Sequence, residues 1–241
     1  VRNVEATLKG AQAQFGRPPG KDADSSSGRG TLARLETQDD AQLAQWFLRV
    51  TRHPYSREVQ QEFRGEYDRY PREGEAPLLL DGANGDSLFH AAPLSLPPSQ
   101  GGKPFEVIGI PLHKPGFYIV EFASNRLGAA LHGAQKPYYV SSSALVTNMS
   151  VHLKKGRESS LVWVTRLDNA QPVADAAIRV STCDGRRMLW EGKTDAKGKV
   201  HIAEELADGY FDHCSGLLVT ARKDDDLSFV VSTWNDGINP W

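Results

Sequence analysis

The chain has 241 residues, 39% hydrophobic and 24% charged, an ordinary globular composition with room for one large or two small domains. With 28 Lys+Arg against 30 Asp+Glu its formal net charge is −2, which argues against a chain built around nucleic acid or an anionic membrane surface. No apolar run approaches the ~20 residues of a membrane span, and Val1 opens no charged-then-apolar leader. The expectation is a removed targeting segment or a piece of a longer protein.

A short strand, Val4 to Leu8, comes first. Residues 10–33, rich in Gly, Pro and Ser, read as a long, flexible, exposed loop, because little there repays the entropy of ordering. A helical segment spans 38–70. Thr37-Gln-Asp-Asp40 fits a capping box with Asp in place of Glu. Leu43, Trp46, Phe47 and Val50 then fall on one helical stripe, which His53-Pro54 ends. A weaker stripe follows at Val59, Phe63, Tyr67 and Tyr70.

From Leu78-Leu-Leu80 the period becomes two. Phe105–Ile110, Phe117–Phe122 and Tyr138–Val140 read as strands. So do Ala144–Leu153, Ser160–Thr165, Ala176–Ser181, Met188–Lys193, Lys199–Ile202, Leu217–Arg222 and Leu227–Ser232. Turn dipeptides such as Asp184-Gly185 and Lys197-Gly198 separate them, a spacing that argues for an all-β sandwich. Three small residues, Ser141-Ser-Ser143, place a boundary between a domain at 1–143 carrying the loop and helical segment and a domain at 144–241. One large sandwich with a helical insertion is the alternative.

The search for chemistry is negative. Gly28-Arg-Gly30-Thr-Leu-Ala33 has dinucleotide-loop spacing but no strand before it. There is no G-x-S-x-G, no H-E-x-x-H and no phosphate loop. Asp224-Asp-Asp226 reads as a solvated hairpin tip rather than a calcium site. His201, His213 and the cysteines do not promise four converging metal ligands. Arg49, Arg52, Arg57, Arg64, Arg69 and Arg72 interleave with aromatics, but Glu58, Glu62, Glu66, Asp68 and Glu73 offset their charge. The expectation is no catalytic residue, no cofactor, no metal and no nucleic-acid partner. Asn148-Met-Ser150 is a glycosylation sequon inside a strand. Cys183 and Cys214 permit one disulfide, one metal half-site or two free thiols.

The second half carries a resemblance. Ser159-Ser-Leu-Val-Trp-Val-Thr165, Leu167-Asp-Asn-Ala-Gln-Pro-Val-Ala-Asp-Ala-Ala-Ile-Arg-Val180 and Trp190-Glu-Gly-Lys-Thr-Asp-Ala-Lys-Gly-Lys-Val200 follow one another. Leu217–Phe229 and Trp234-Asn-Asp-Gly-Ile-Asn-Pro-Trp241 complete the series, and Pro115-Gly-Phe-Tyr-Ile-Val120 precedes it. Together they resemble the amino-terminal macroglobulin-type (MG) domains of the bacterial α2-macroglobulin family. The resemblance covers about 115–241; residues 1–114 match only in outline.

It implies all-β architecture: two tandem macroglobulin-like (Ig/fibronectin-like) antiparallel sandwiches, the first with a helical insertion. It implies a non-catalytic scaffold fragment of a broad-spectrum protease trap in the periplasm, inner-membrane-associated as a whole. Its partners would be neighbouring MG domains and, through the full-length protein, proteases, with no membrane insertion by this fragment. The family's C-x-E-Q thioester does not carry over, because Asp-Gly-Arg follows Cys183 and Ser-Gly-Leu follows Cys214. Both cysteines fall at strand ends, and an exported macroglobulin sits in an oxidising compartment, so a Cys183–Cys214 disulfide is expected. The competing reading is a tandem sandwich of a surface adhesin or carbohydrate-binding protein. It would need an aromatic platform, for which Tyr138, Tyr139, Trp234 and Trp241 are the candidates.

Overall fold

A computed structural model describes residues 28–52, 74–80, 89–94, 96, 107–132, 136–207, 210–211 and 214–234. The strand expected at Val4–Leu8, the stripe from Val59 to Tyr70, His213 and Trp241 lie outside the described residues. The contacts divide the chain into two units. The first comprises Val1–Leu35, Arg49–Lys114 and Tyr118–Ala144; the second comprises Glu36–Leu48, Pro115–Phe117 and Leu145–Trp241.

The first unit holds a four-stranded sheet of order β2-β1-β3-β4, formed by β1 (Arg29–Leu35), β2 (Phe89–Leu94), β3 (Gly116–Ser124) and β4 (Tyr138–Val146). Residues 29–33, expected at the end of a flexible loop, are instead strand. Ala33 and Leu35 are buried there, and Gly30 lets the backbone close on Leu94, whose Cβ would lie 3.0 Å from a side chain at position 30. β2 escapes the sequence reading because Pro93 lies within it, a residue tolerated on this edge strand, where a ladder bond can be spared.

β3 runs beside two neighbours and buries a continuous stretch, including Ile119 and Val120. Its Glu121, 0% exposed, anchors the turn at the apolar run Leu78–Leu80. Leu79 N–H and Leu80 N–H each donate to its carboxylate at 2.8 Å, and Ser141 Oγ–H donates at 2.5 Å. Residues 107–110, expected as strand, are irregular. A helix, α2 (Asn125–His132), was not expected; Ser124 Oγ caps it by accepting from Leu127 N–H at 3.2 Å. Ser141–Ser143, read as a joint between strands, lie within β4: alternation continues through the serines, and Ser141 is tied to Glu121.

The second unit is a sandwich. One sheet is β5 (Met149–Lys155), β6 (Ser160–Arg166) and β9 (Lys199–Ile202); the other has the order β13-β12-β7-β8, with β7 Ala177–Thr182, β8 Met188–Lys193, β12 Leu217–Lys223 and β13 Asp226–Val231. The registers within both sheets are antiparallel. Between them Val162, Val164, Ile178, Val180, Leu217 and Val219 are fully buried. Two short strands, β10 (Tyr210–Phe211) and β11 (Cys214–Ser215), pair beside it.

Helix α1 (Asp40–Arg52) corrects the sequence reading twice. Its cap is Asp39, whose Oδ1 accepts from Ala41 N–H at 2.9 Å, while Thr37 Oγ1 accepts from Asp39 N–H at 3.0 Å. The box residue Asp40 is released for another contact. Moreover, Glu36–Leu48 group with the second unit, not with the first domain to which the helical segment was assigned. The physical reason is what Asp40 and Phe47 touch.

Candidate functional site

β12 sends Leu217, Val219 and Ala221 into the sandwich core, yet Leu218 and Thr220 on its other face are also only 1% exposed. That outer face is covered by the 36–48 segment. Asp40 Oδ2 accepts from Thr220 Oγ1–H at 2.8 Å, and Asp40 Oδ1 pairs with Arg222 Nη2 at 2.8 Å. Arg222 Nη1–H also reaches Gln38 Oε1 at 3.2 Å. About two turns of the helix further on, Phe47 meets Phe229 edge-on, with ring centroids 5.4 Å apart, and also Phe117 at 6.5 Å and Trp234 at 5.5 Å. The β7–β8 turn closes on the start of the helix. Gly185, at φ 71°, packs so closely that a Cβ would come within 2.5 Å of Asp40 O. The result is a third layer on one sheet, held by a buried ion pair and an aromatic cluster.

The same β7–β8 turn holds Cys183, and β11 holds Cys214. Cys183 and Cys214 are bonded, with Cα atoms 5.9 Å apart and both residues buried. Beside them Thr182 Oγ1–H donates to Asp184 Oδ1 at 2.5 Å, which also accepts from Arg186 N–H at 3.2 Å.

The outer face of the other sheet is open. The register sets His152 opposite Trp163 and Trp163 opposite Lys199; Lys154, Leu161 and His201 form the next row. Trp163 is 39% exposed. Its ring lies 5.5 Å from that of His152, and Lys199 Nζ lies 5.5 Å from its centroid. This aromatic was not among the sequence candidates.

Those candidates fare differently. Tyr138 stacks on His132 at 5.4 Å, with its ring against Gly74. Tyr139 is half-buried, and its N–H donates to Gly74 O at 2.8 Å. Trp234 is 50% exposed but engaged with Phe47 and Phe229. Within the first unit Tyr138 is thus packed rather than open, and within the second Trp234 is engaged by two rings. Asp224 and Asp225 form the β12–β13 turn, with Asp224 at φ 55°. Asp226 Oδ2 accepts from Asn148 N–H at 2.9 Å. Among the described residues no three His, Cys, Asp or Glu side chains gather as a metal site, and no helix is long and apolar enough to cross a membrane.

Residues 146–241 match the family described as the bacterial alpha-2-macroglobulin MG3 domain. A comparison with curated proteins finds no match. Among solved structures, the chain is similar to native alpha-2-macroglobulin from Escherichia coli spanning domains NIE-MG1. The identity is 13%, with 87% of this chain and 85% of that chain covered, at a TM-score of 0.51. A longer structure from the same protein, spanning MG0-NIE-MG1, aligns at 15% identity over 87% of this chain and 56% of its own, with a TM-score of 0.49. At 13% identity the first likeness speaks for the fold, and the matched family speaks for the second sandwich. The family match thus stands for residues 146–241, and the likeness of the chain as a whole is one of fold.

Proposed function

We propose that this chain is a non-catalytic scaffold fragment of a bacterial α2-macroglobulin-like protein, and that the parent is a broad-spectrum protease trap. The observation that carries the reading is the match of 146–241 to the MG3 domain, over a segment that folds as an antiparallel sandwich. The buried groups support it. Asp40, Arg222, Thr220 and Glu121 are engaged with one another or with backbone, which suits a rigid frame rather than a reacting centre. On this reading the two domains meet near residues 143 and 144, their partners are neighbouring MG domains, and proteases are met by the parent. The compartment would be the periplasm, with the parent attached to the inner membrane.

The adhesin or carbohydrate reading asks for an open aromatic platform, and Tyr138 is covered on its ring. The test is to mix a protease with the full-length parent and, separately, with this chain. The parent should protect a large protein substrate while a small peptide substrate is still cut, and this chain should do neither. A parent that leaves large-substrate cleavage untouched would refute the trap.

A further inference from the structure

The two sheets of the second unit differ in what covers them. The outer face of β13-β12-β7-β8 carries helix α1. The outer face of β5-β6-β9 carries a patterned surface. Leu161 and Trp163 run along β6, and each is flanked across the strands by a basic or imidazole side chain on either side. Lys154 and His201 flank Leu161; His152 and Lys199 flank Trp163. All four flanking residues are exposed.

No Asp or Glu occurs in β5, β6 or β9, although residues 144–241 hold 14 acidic residues against 12 basic ones. The acidic residues nearest in sequence, Glu158, Asp195 and Glu204, lie in the turns bounding the strands. Asp195 Oδ1 is already engaged by Lys197 N–H and Lys199 N–H, each at 2.8 Å. In a chain of net charge −2, this face is a local concentration of positive charge around an apolar stripe.

We infer that the outer face of β5-β6-β9 is a docking surface for an acidic segment of polypeptide. An extended segment places alternate side chains ~6.5–7 Å apart, the spacing of Leu161 and Trp163 on β6. Apolar side chains seated on these two would leave neighbouring carboxylates beside Lys154, Lys199 and the histidines. A sugar ring would need an open indole face, but Lys199 Nζ lies over the Trp163 ring and the His152 ring lies tilted 5.5 Å from it. Charge pairs at the rim and an aromatic at the centre are the pattern of a protein contact. The inference rests on this face alone and does not depend on protease trapping.

The test uses the whole 241-residue chain and two probes: a fluorescent peptide of alternating glutamate and leucine, and dextran sulfate. The peptide should bind, and binding should weaken as salt is raised. Lys154→Glu, Lys199→Glu and Trp163→Ala should each weaken it by about fivefold or more, on the order of one surface ion pair. These side chains are exposed, so the fold should survive, and unchanged far-UV dichroism checks it. Arg179→Glu, on the opposite sheet, should leave binding unchanged. Absence of peptide binding, or binding indifferent to the three substitutions, overturns the proposal. Dextran sulfate binding through these residues without peptide binding also overturns it, in favour of an anionic polysaccharide.

Discussion

Replacing Asp40 by Asn changes one oxygen to an amide and little else in shape. It removes the negative charge that faces Arg222 and turns one acceptor into a donor opposite Thr220 or Arg222. The two side chains are 9% and 17% exposed, so the pair is largely dry. Removing one partner of a fully buried pair costs about 3–5 kcal/mol. Arg222 keeps some water and its contact with Gln38, which brings the cost to roughly 2–3 kcal/mol. Losing an acidic residue from the first helical turn adds about 0.3–1 kcal/mol. The expected destabilisation is therefore about 3 kcal/mol, and it belongs to the second unit. Urea unfolding read by hydrogen exchange in peptides covering 217–231 separates that unit from the first. Asp39→Asn is the matched control: Asn caps as well as Asp, so the change should be near zero. An Asp40→Asn variant within about 0.5 kcal/mol of wild type, or no worse than Asp39→Asn, would show that the ion pair does not hold the helix in place.

Two further outcomes follow from the same unit. The disulfide closes a separation of 31 residues, so Cys183→Ser with Cys214→Ser should cost about 3–4 kcal/mol in the chain-entropy model, measured by denaturant unfolding. The unreduced protein should expose no alkylatable thiol on unfolding. Asp195 sits in the turn before β9, and its carboxyl is held below the ordinary carboxylate range, chiefly by the Lys199 amide; desolvation opposes this, and the Lys197 amide and the charges of Lys197 and Lys199 add to the lowering. A depressed folded value means that the carboxylate's contribution is present above the unfolded value and fades as pH falls through the folded one. NMR titration should place Asp195 below an Asp in an unfolded peptide, and Gly198→Ala, which forces a strained φ of 69° in the same turn, should reduce that depression.

The second sandwich was legible because its strands carry their own punctuation. Met188–Lys193 and Lys199–Ile202 fall as the alternation and turns indicated. β5 and β6 alternate buried and exposed residues, the mark of a sheet with one wet face. β12 does not alternate: Leu217-Leu-Val-Thr-Ala is buried throughout. That run was the available signal that something covers the far side of its sheet. What covers it could not be read locally, because the partner is Asp40, separated from Thr220 by 180 positions. The first unit was less legible for similar reasons. Pro93 disguises an edge strand, and a buried carboxylate, Glu121, does the work that an apolar side chain would be expected to do in β3. Trp163 was overlooked because a tryptophan in a strand reads as core until the register shows which way it faces.

The seat of helix α1 also sets an order of events. The helix lies near the start of this sequence, and the strand that receives it is among the last elements of the chain. At ribosomal rates of about 5–20 residues per second, roughly 10–40 seconds separate the synthesis of Asp40 from that of Thr220. Throughout that interval Asp40 has neither Thr220 nor Arg222 to pair with, and Phe47 has not met Phe229. The helix therefore stays unseated until the β12–β13 hairpin has been made, so the hairpin rather than the helix sets when the third layer can form.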